Sequence, residues 1–255
     1  MSWIALVLVL AAGPTEWALP GVRVHVQASE ELDPDRLRAL ARPDVVLWLR
    51  TRSNGLRRST AETLRLAGSA FVQVRPPLGA PALAPFVGRV GPWVEERGLD
   101  VARVRRWSPG RLAVEVEGTF TEELASRLRV LRPVAIRWRR AGWPAREEWA
   151  RARRFGGVEL SSTGEVADCT VVPPKTRVRV RVERPRTSDE VCRLPVRVQL
   201  APEASIADAQ QALLGHVDAD LGVEVGEDAV RAASVARLLD ALEATTPQGR
   251  PAGAP

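Results

Sequence analysis

The chain has 255 residues, 45% of them hydrophobic, with 37 basic against 31 acidic residues and a formal charge of +6. That length and apolar content support a real core and exclude a disordered chain. The basic excess is almost wholly arginine, Lys175 being the single lysine. Solvated basic faces in an Arg-, Ala- and Pro-rich composition account for it better than a nucleic-acid partner, and none is assigned.

The first apolar run, residues 3–12, has the length of a signal-peptide core, is short for a bilayer span and has no basic residue before it. Residues 1–19 therefore read as a signal peptide or N-terminal anchor without a clean cleavage site. A periplasmic or extracellular location follows, with membrane contact only through this run if it stays uncleaved. A disulfide between Cys169 and Cys192, which flank a strand pattern, suits the oxidising compartment this implies. Two histidines and two cysteines are too few for a structural zinc cluster, so no metal or cofactor is expected.

Residues 20–165 carry the core pattern. Gly21 to Gln27 alternates with period two, the mark of a strand, with Arg23, His25 and Gln27 on one face. Asp33 followed by Pro34 starts a short helix, and Asp44 to Arg50 is a second, more continuously apolar strand. Ser59 to Glu62 has the form of a capping box for a helix ending near Gly68. Ala70 to Arg75 is a third strand. The stretch to Gly98, interrupted by Pro81, Pro85 and Pro92, reads as broken turns, and Val101 to Trp107 as an additional strand. Arg111 to Gly118 alternates cleanly, with Leu112, Val114 and Val116 on one face and Ala113, Glu115 and Glu117 on the other. Thr119 or Thr121 caps a helix through Leu131. Arg132 to Arg139 is the next strand, a helix opens after Trp143-Pro144, and Gly157 to Ser161 is another strand. Strand, helix, strand, helix argues a parallel sheet covered by helices.

Residues 166–246 change character. Thr176 to Val182 and Leu194 to Leu200 are amphipathic strands that either pair antiparallel or complete the core, and helices are expected over residues 205–214 and 229–244. Residues 247–255 read as a disordered tail. The fold class is α/β: a parallel (β/α) barrel-like domain, closed or incomplete, with a β-rich then helical C-terminal extension.

A barrel explains the alternate-face charges better than an open sheet, because a lumen lets Glu115, Glu117, Arg137, Arg139 and Glu159 pair with one another. In parallel barrels function sits at the strand C-terminal ends. That selects Gln27, Arg50, Arg52, Arg75, Arg139 and Ser161 as ligand-binding residues, with arginines suited to a carbohydrate or other anionic ligand. Glu117 and Glu159 are the catalytic candidates, Glu117 as general acid of a glycoside hydrolase. An ion-pair network filling the lumen is the simpler account of the same carboxylates, which favours a non-catalytic or degenerate binding barrel of the cell envelope. A scaffold without a small-molecule site is the third reading. The Arg177, Arg179, Arg181 and Arg197 ladder fits a solvated sheet edge.

Overall fold

The computed structural model describes residues 23–52, 56–75, 86, 88–97, 99–102, 104, 111–163, 168–184, 186–187, 189–214, 216 and 219–245. The apolar run at residues 1–19 and the tail at 247–255 lie outside these described residues.

Ten strands are present: β1 (Val24–Ser29), β2 (Val45–Arg50), β3 (Ser69–Gln73), β4 (Val90–Glu95), β5 (Ala113–Glu117), β6 (Ala135–Arg140), β7 (Val158–Ser162), β8 (Arg179–Val182), β9 (Val196–Leu200) and β10 (Ala219–Gly226). Each pairs with its chain neighbours in parallel, and β10 pairs back onto β1, so the sheet is a closed barrel. Around it lie α1 (Pro34–Leu40), α2 (Arg58–Leu64), α3 (Glu122–Leu131), α4 (Arg146–Ala152), α5 (Ile206–Leu213) and α6 (Ala229–Thr245).

Period-two alternation sets the two faces. Outward residues such as Val26, Leu47, Val72, Val114, Leu160, Val198 and Val223 are at most 1% exposed and form the core with the helices. Each such side chain contributes roughly 1.5–3 kcal/mol by leaving water. Helix starts follow the local chemistry. The Asp33 carboxylate accepts from the Asp35 and Arg36 amides at 3.0 and 3.3 Å, and the Thr121 hydroxyl accepts from the Leu124 amide at 3.1 Å. The expected box at Ser59 does not form, because α2 already begins at Arg58 with Arg57 in the cap position. An Arg58–Glu62 ion pair at 3.1 Å spans that first turn instead.

Several expectations are corrected. The fourth strand is Val90–Glu95 and runs through Pro92, whereas Val101, Ala102 and Val104 are helical. Pro92 is tolerated because alternate residues of β4 face different neighbours. The Val74 amide donates to the Trp93 carbonyl on the β3 side, and the Glu96 amide donates to Glu115 on the β5 side. Pro92 therefore faces β5, whose ladder opens only at Trp93↔Ala113, so its missing N–H breaks no rung. Of the two readings of residues 166–246 the second holds: the segment completes the barrel with β8 and β9, both parallel, and adds a further parallel strand, β10, that the sequence pattern did not suggest. Closure leaves β8 and β9 no free edge, so Arg179, Arg181 and Arg197 face the lumen rather than solvent. In α6, Val235, Leu238, Leu239 and Leu242 are buried against the barrel, whereas Val230 is 76% exposed.

Among the described residues no α-helix lies between β7 and β9. There the Cys169–Cys192 disulfide ties the segment before β8 to the segment after it. A covalent link thus stands beside a strand that lacks helical cover.

Candidate functional site

Register places the inward residues in rings. Glu115, Arg137, Glu159 and Arg179 stand side by side on β5 to β8. Glu117, Arg139, Ser161, Arg181, Arg197 and Asp220 form the next course, running from β5 round to β10. Barrel width grows with strand number, so ten strands enclose more space than short aliphatic side chains fill. Long arginines and tryptophans occupy it here.

At the β1–β10 seam, His25 Nε2 lies 3.0 Å from Asp220 Oδ2, and the Trp48 indole N–H donates to His25 Nδ1 at 3.3 Å. With Nδ1 accepting, a neutral imidazole carries its proton on Nε2, which faces the Asp220 carboxylate as acceptor and also lies 3.0 Å from Arg197 Nη2. Burial, then the Arg197 guanidinium, lower the His25 pKa to about 4, so the ring is neutral at pH 7. Asp220 also accepts from Arg179 at 2.5 Å, and Arg197 pairs with Glu159 across the intervening strand. Both carboxylates titrate below their ordinary values. Burial opposes ionisation in each, but the adjoining arginines, together with His25, outweigh it.

Arg137 is 7% exposed and sits 3.7 Å from the Trp48 ring centroid and 4.9 Å from that of Trp93. Trp48 stacks on Phe71 at 4.6 Å and meets Trp93 edge-on at 5.4 Å, making an aromatic wall with Ala113. Burial lowers the Arg137 pKa to about 9, yet the guanidinium stays charged at neutral pH. Its N–H donates to Gln27 Oε1 at 3.0 Å. The middle of the lumen retains a void of only about 10 Å³ between Gln27, Arg137, Arg181, Arg197, Gln199 and Glu224. That is one water's worth of space, so the barrel is plugged and has two separate mouths.

The residues selected from the sequence are mostly at the C-terminal mouth, and most are paired there. Gln27 donates to Glu224 at 3.0 Å, and Arg50 pairs with the same carboxylate at 3.3 Å. Arg139 pairs with Glu115 at 2.8 Å, while Arg52 pairs with Glu31 at 2.9 Å. Arg75 is exposed beyond β3. Glu117 lies on the rim, 66% exposed, and pairs with Arg97 at 3.3 Å. Glu159 is buried one course deeper and two strands away, so the structure does not bring the two catalytic candidates together. Ser161 lines a cavity of about 540 Å³ with Trp143, Arg181, Arg184 and Arg186. Trp93 and Trp149 are buried, and Trp143 is half-buried.

Sequence reasoning missed Asp220 and Glu224, the partners that fix His25, Gln27 and Arg50. The signal was present in Asp220, Gly222 and Glu224 alternating with Leu221, Val223 and Val225. The cavity at the strand N-terminal ends also went unforeseen.

Fold and lumen together define the class: an all-parallel, ten-stranded α/β barrel with a charged, aromatic-lined interior. In comparisons with known proteins, no family model and no curated protein matches the chain.

Proposed function

We propose that the protein is an exported, non-catalytic binding barrel of the cell envelope that takes a carbohydrate or other anionic ligand at the C-terminal ends of its strands. The observation that supports this reading is the cavity of about 540 Å³ over β7 and β8, whose lining holds three arginines, Arg181, Arg184 and Arg186, against the single carboxylate of Glu183. Ser161, Ser162 and Thr163 add hydroxyls, and the half-buried Trp143 lends part of its indole to the wall. Absence of catalysis rests on the carboxylates. Glu159 is held ionised in its pair with Arg197, so it donates no proton, and Glu117 stands apart from it on the rim. Export rests on the disulfide and on the apolar run that opens the sequence.

The test is calorimetric titration with trigalacturonate against its neutral methyl ester. Binding of the acid, weakened at least about tenfold by Arg184→Ala/Arg186→Ala, is the expected result. Equal binding of acid and ester, or no binding of either, refutes the reading.

A further inference from the structure

We propose that the opposite mouth, at the N-terminal ends of the strands, is a second binding site, specific for a small organic anion with a flat apolar body such as an aryl carboxylate or aryl sulfonate. It does not rest on the reading of the C-terminal mouth, from which the plugged lumen separates it.

The cavity there has a volume of about 720 Å³, within the range that encloses small-molecule ligands. Eight arginines line it, against the one carboxylate of Glu159. Three of the eight already have carboxylate partners: Arg154 on Glu122, Arg179 on Asp220 and Arg197 on Glu159. Among the described residues, Arg23 and Arg177 are exposed and no ion pair holds either. Arg111 is partly buried, with its guanidinium 5.8 Å from the Phe71 ring centroid.

Deeper in, the charges do not balance. Arg137, Arg179 and Arg197 bring three guanidinium groups to the two carboxylates Glu159 and Asp220, and His25 is neutral. Arg137 stands between Glu115 and Glu159 in its course, yet among the described residues no ion pair holds it and its guanidinium lies over the Trp48 and Trp93 rings. A guanidinium charge in so dry a setting is costly, and a ligand anion would offset it more fully than indole rings do.

The apolar half of the ligand follows from the wall. Trp48, Phe71, Val46 and Ala135 line the same cavity, so an apolar wall that includes the edges of the stacked Trp48–Phe71 pair lies next to the cationic groups. An aromatic ring against that wall places an attached carboxylate or sulfonate among the arginines, where planar forks bind it bidentately.

Naphthalene-2-sulfonate is the probe, followed by calorimetry and by tryptophan fluorescence, with naphthalene-2-sulfonamide and inorganic sulfate as controls. Expected are 1:1 binding of the sulfonate, quenching of tryptophan emission, and at least about tenfold weaker binding of both controls. Arg111→Ala/Arg177→Ala should weaken the sulfonate by a similar factor, and Arg184→Ala/Arg186→Ala at the other mouth should leave it unchanged. Arg177→Ala alone carries the test if the double variant loses its folded melting transition. No sulfonate binding at millimolar concentration, equal binding of the sulfonamide or of sulfate, or indifference to Arg177→Ala overturns the proposal. Trigalacturonate binding at the C-terminal mouth is read separately, so either site can fail alone.

Discussion

Acidification should destabilise the barrel in a window that belongs to His25. In the folded chain the Trp48 N–H occupies Nδ1, burial disfavours the cation, and the pKa falls to about 4 from the ordinary 6.5. The unfolded chain takes up its proton near 6.5 while the folded chain does not. Between those values the unfolded state binds more protons, so stability rises with pH and is lost as pH falls from about 6.5 to about 4. The shift converts to about 3 kcal/mol at the acid end, at 1.36 kcal/mol per pH unit. Asp220 and Glu159 have depressed pKa values, so their contributions are fully present above their ordinary values of 3.8 and 4.5 and are lost as pH falls through their lower folded values. The two effects therefore separate along the pH axis. Urea unfolding at pH 7, 6 and 5 measures the slope, and His25→Gln should flatten it. The chain has two histidines, so an NMR titration resolves the ring directly. A His25 resonance that titrates near 6.5, or a urea midpoint flat from pH 7 to 5 in the parent protein, would falsify the neutral-imidazole assignment.

Asp220→Ala removes the carboxylate that Arg179 and His25 share and should cost about 3–5 kcal/mol in urea unfolding, with Asp220→Asn losing less. Loss of less than 1 kcal/mol on Asp220→Ala would mean the seam cluster adds nothing to folding. Glu117→Gln removes only an exposed pair with Arg97 and should change stability by under about 1 kcal/mol, whereas Glu159→Ala strands Arg197 and should behave like Asp220→Ala. The reverse order in thermal melts would contradict the placement of the two carboxylates. Reducing Cys169–Cys192, which closes a segment with sequence separation 23, should cost about 3 kcal/mol by loop entropy. An unchanged melting temperature in reductant would show that β8 is held without it. Gly222→Leu should destabilise, since a bulky side chain there must displace the Gln199 amide and press on Arg197, whose Cδ lies 3.1 Å from a Cβ at that position.

Much of the barrel is legible as period-two patterning, because the pleat sends alternate residues to helices and lumen. Val24 and Val26 against His25 and Gln27, or Val114 and Val116 against Glu115, state both faces outright. β4 escapes because Pro92 reads as a strand breaker, and its harmlessness depends on where the β5 ladder starts, which is a property of register. β10 escapes because Gly222 and Gly226 read as turn residues, although Gly222 is the small residue that makes room beside Arg197. Missing β10 hid Asp220, and with it the partner that fixes the state of His25. The N-terminal mouth was invisible for another reason. Arg177, Arg179 and Arg197 suit an exposed sheet edge until the last strand removes the edge, and the usual location of function in parallel barrels points to the other end.

The β1–β10 seam has a kinetic meaning. His25–Asp220 and Gln27–Glu224 join residues 195 and 197 positions apart, so the first strand stays half-paired until the last has been made. Contacts of that separation slow folding. A nascent or partly folded chain keeps two open edges, the hazard that closure removes. Trp48, which touches His25, should report the late event: its fluorescence ought to reach the native value only in the slowest refolding phase, and a chain ending at residue 218 should never reach it.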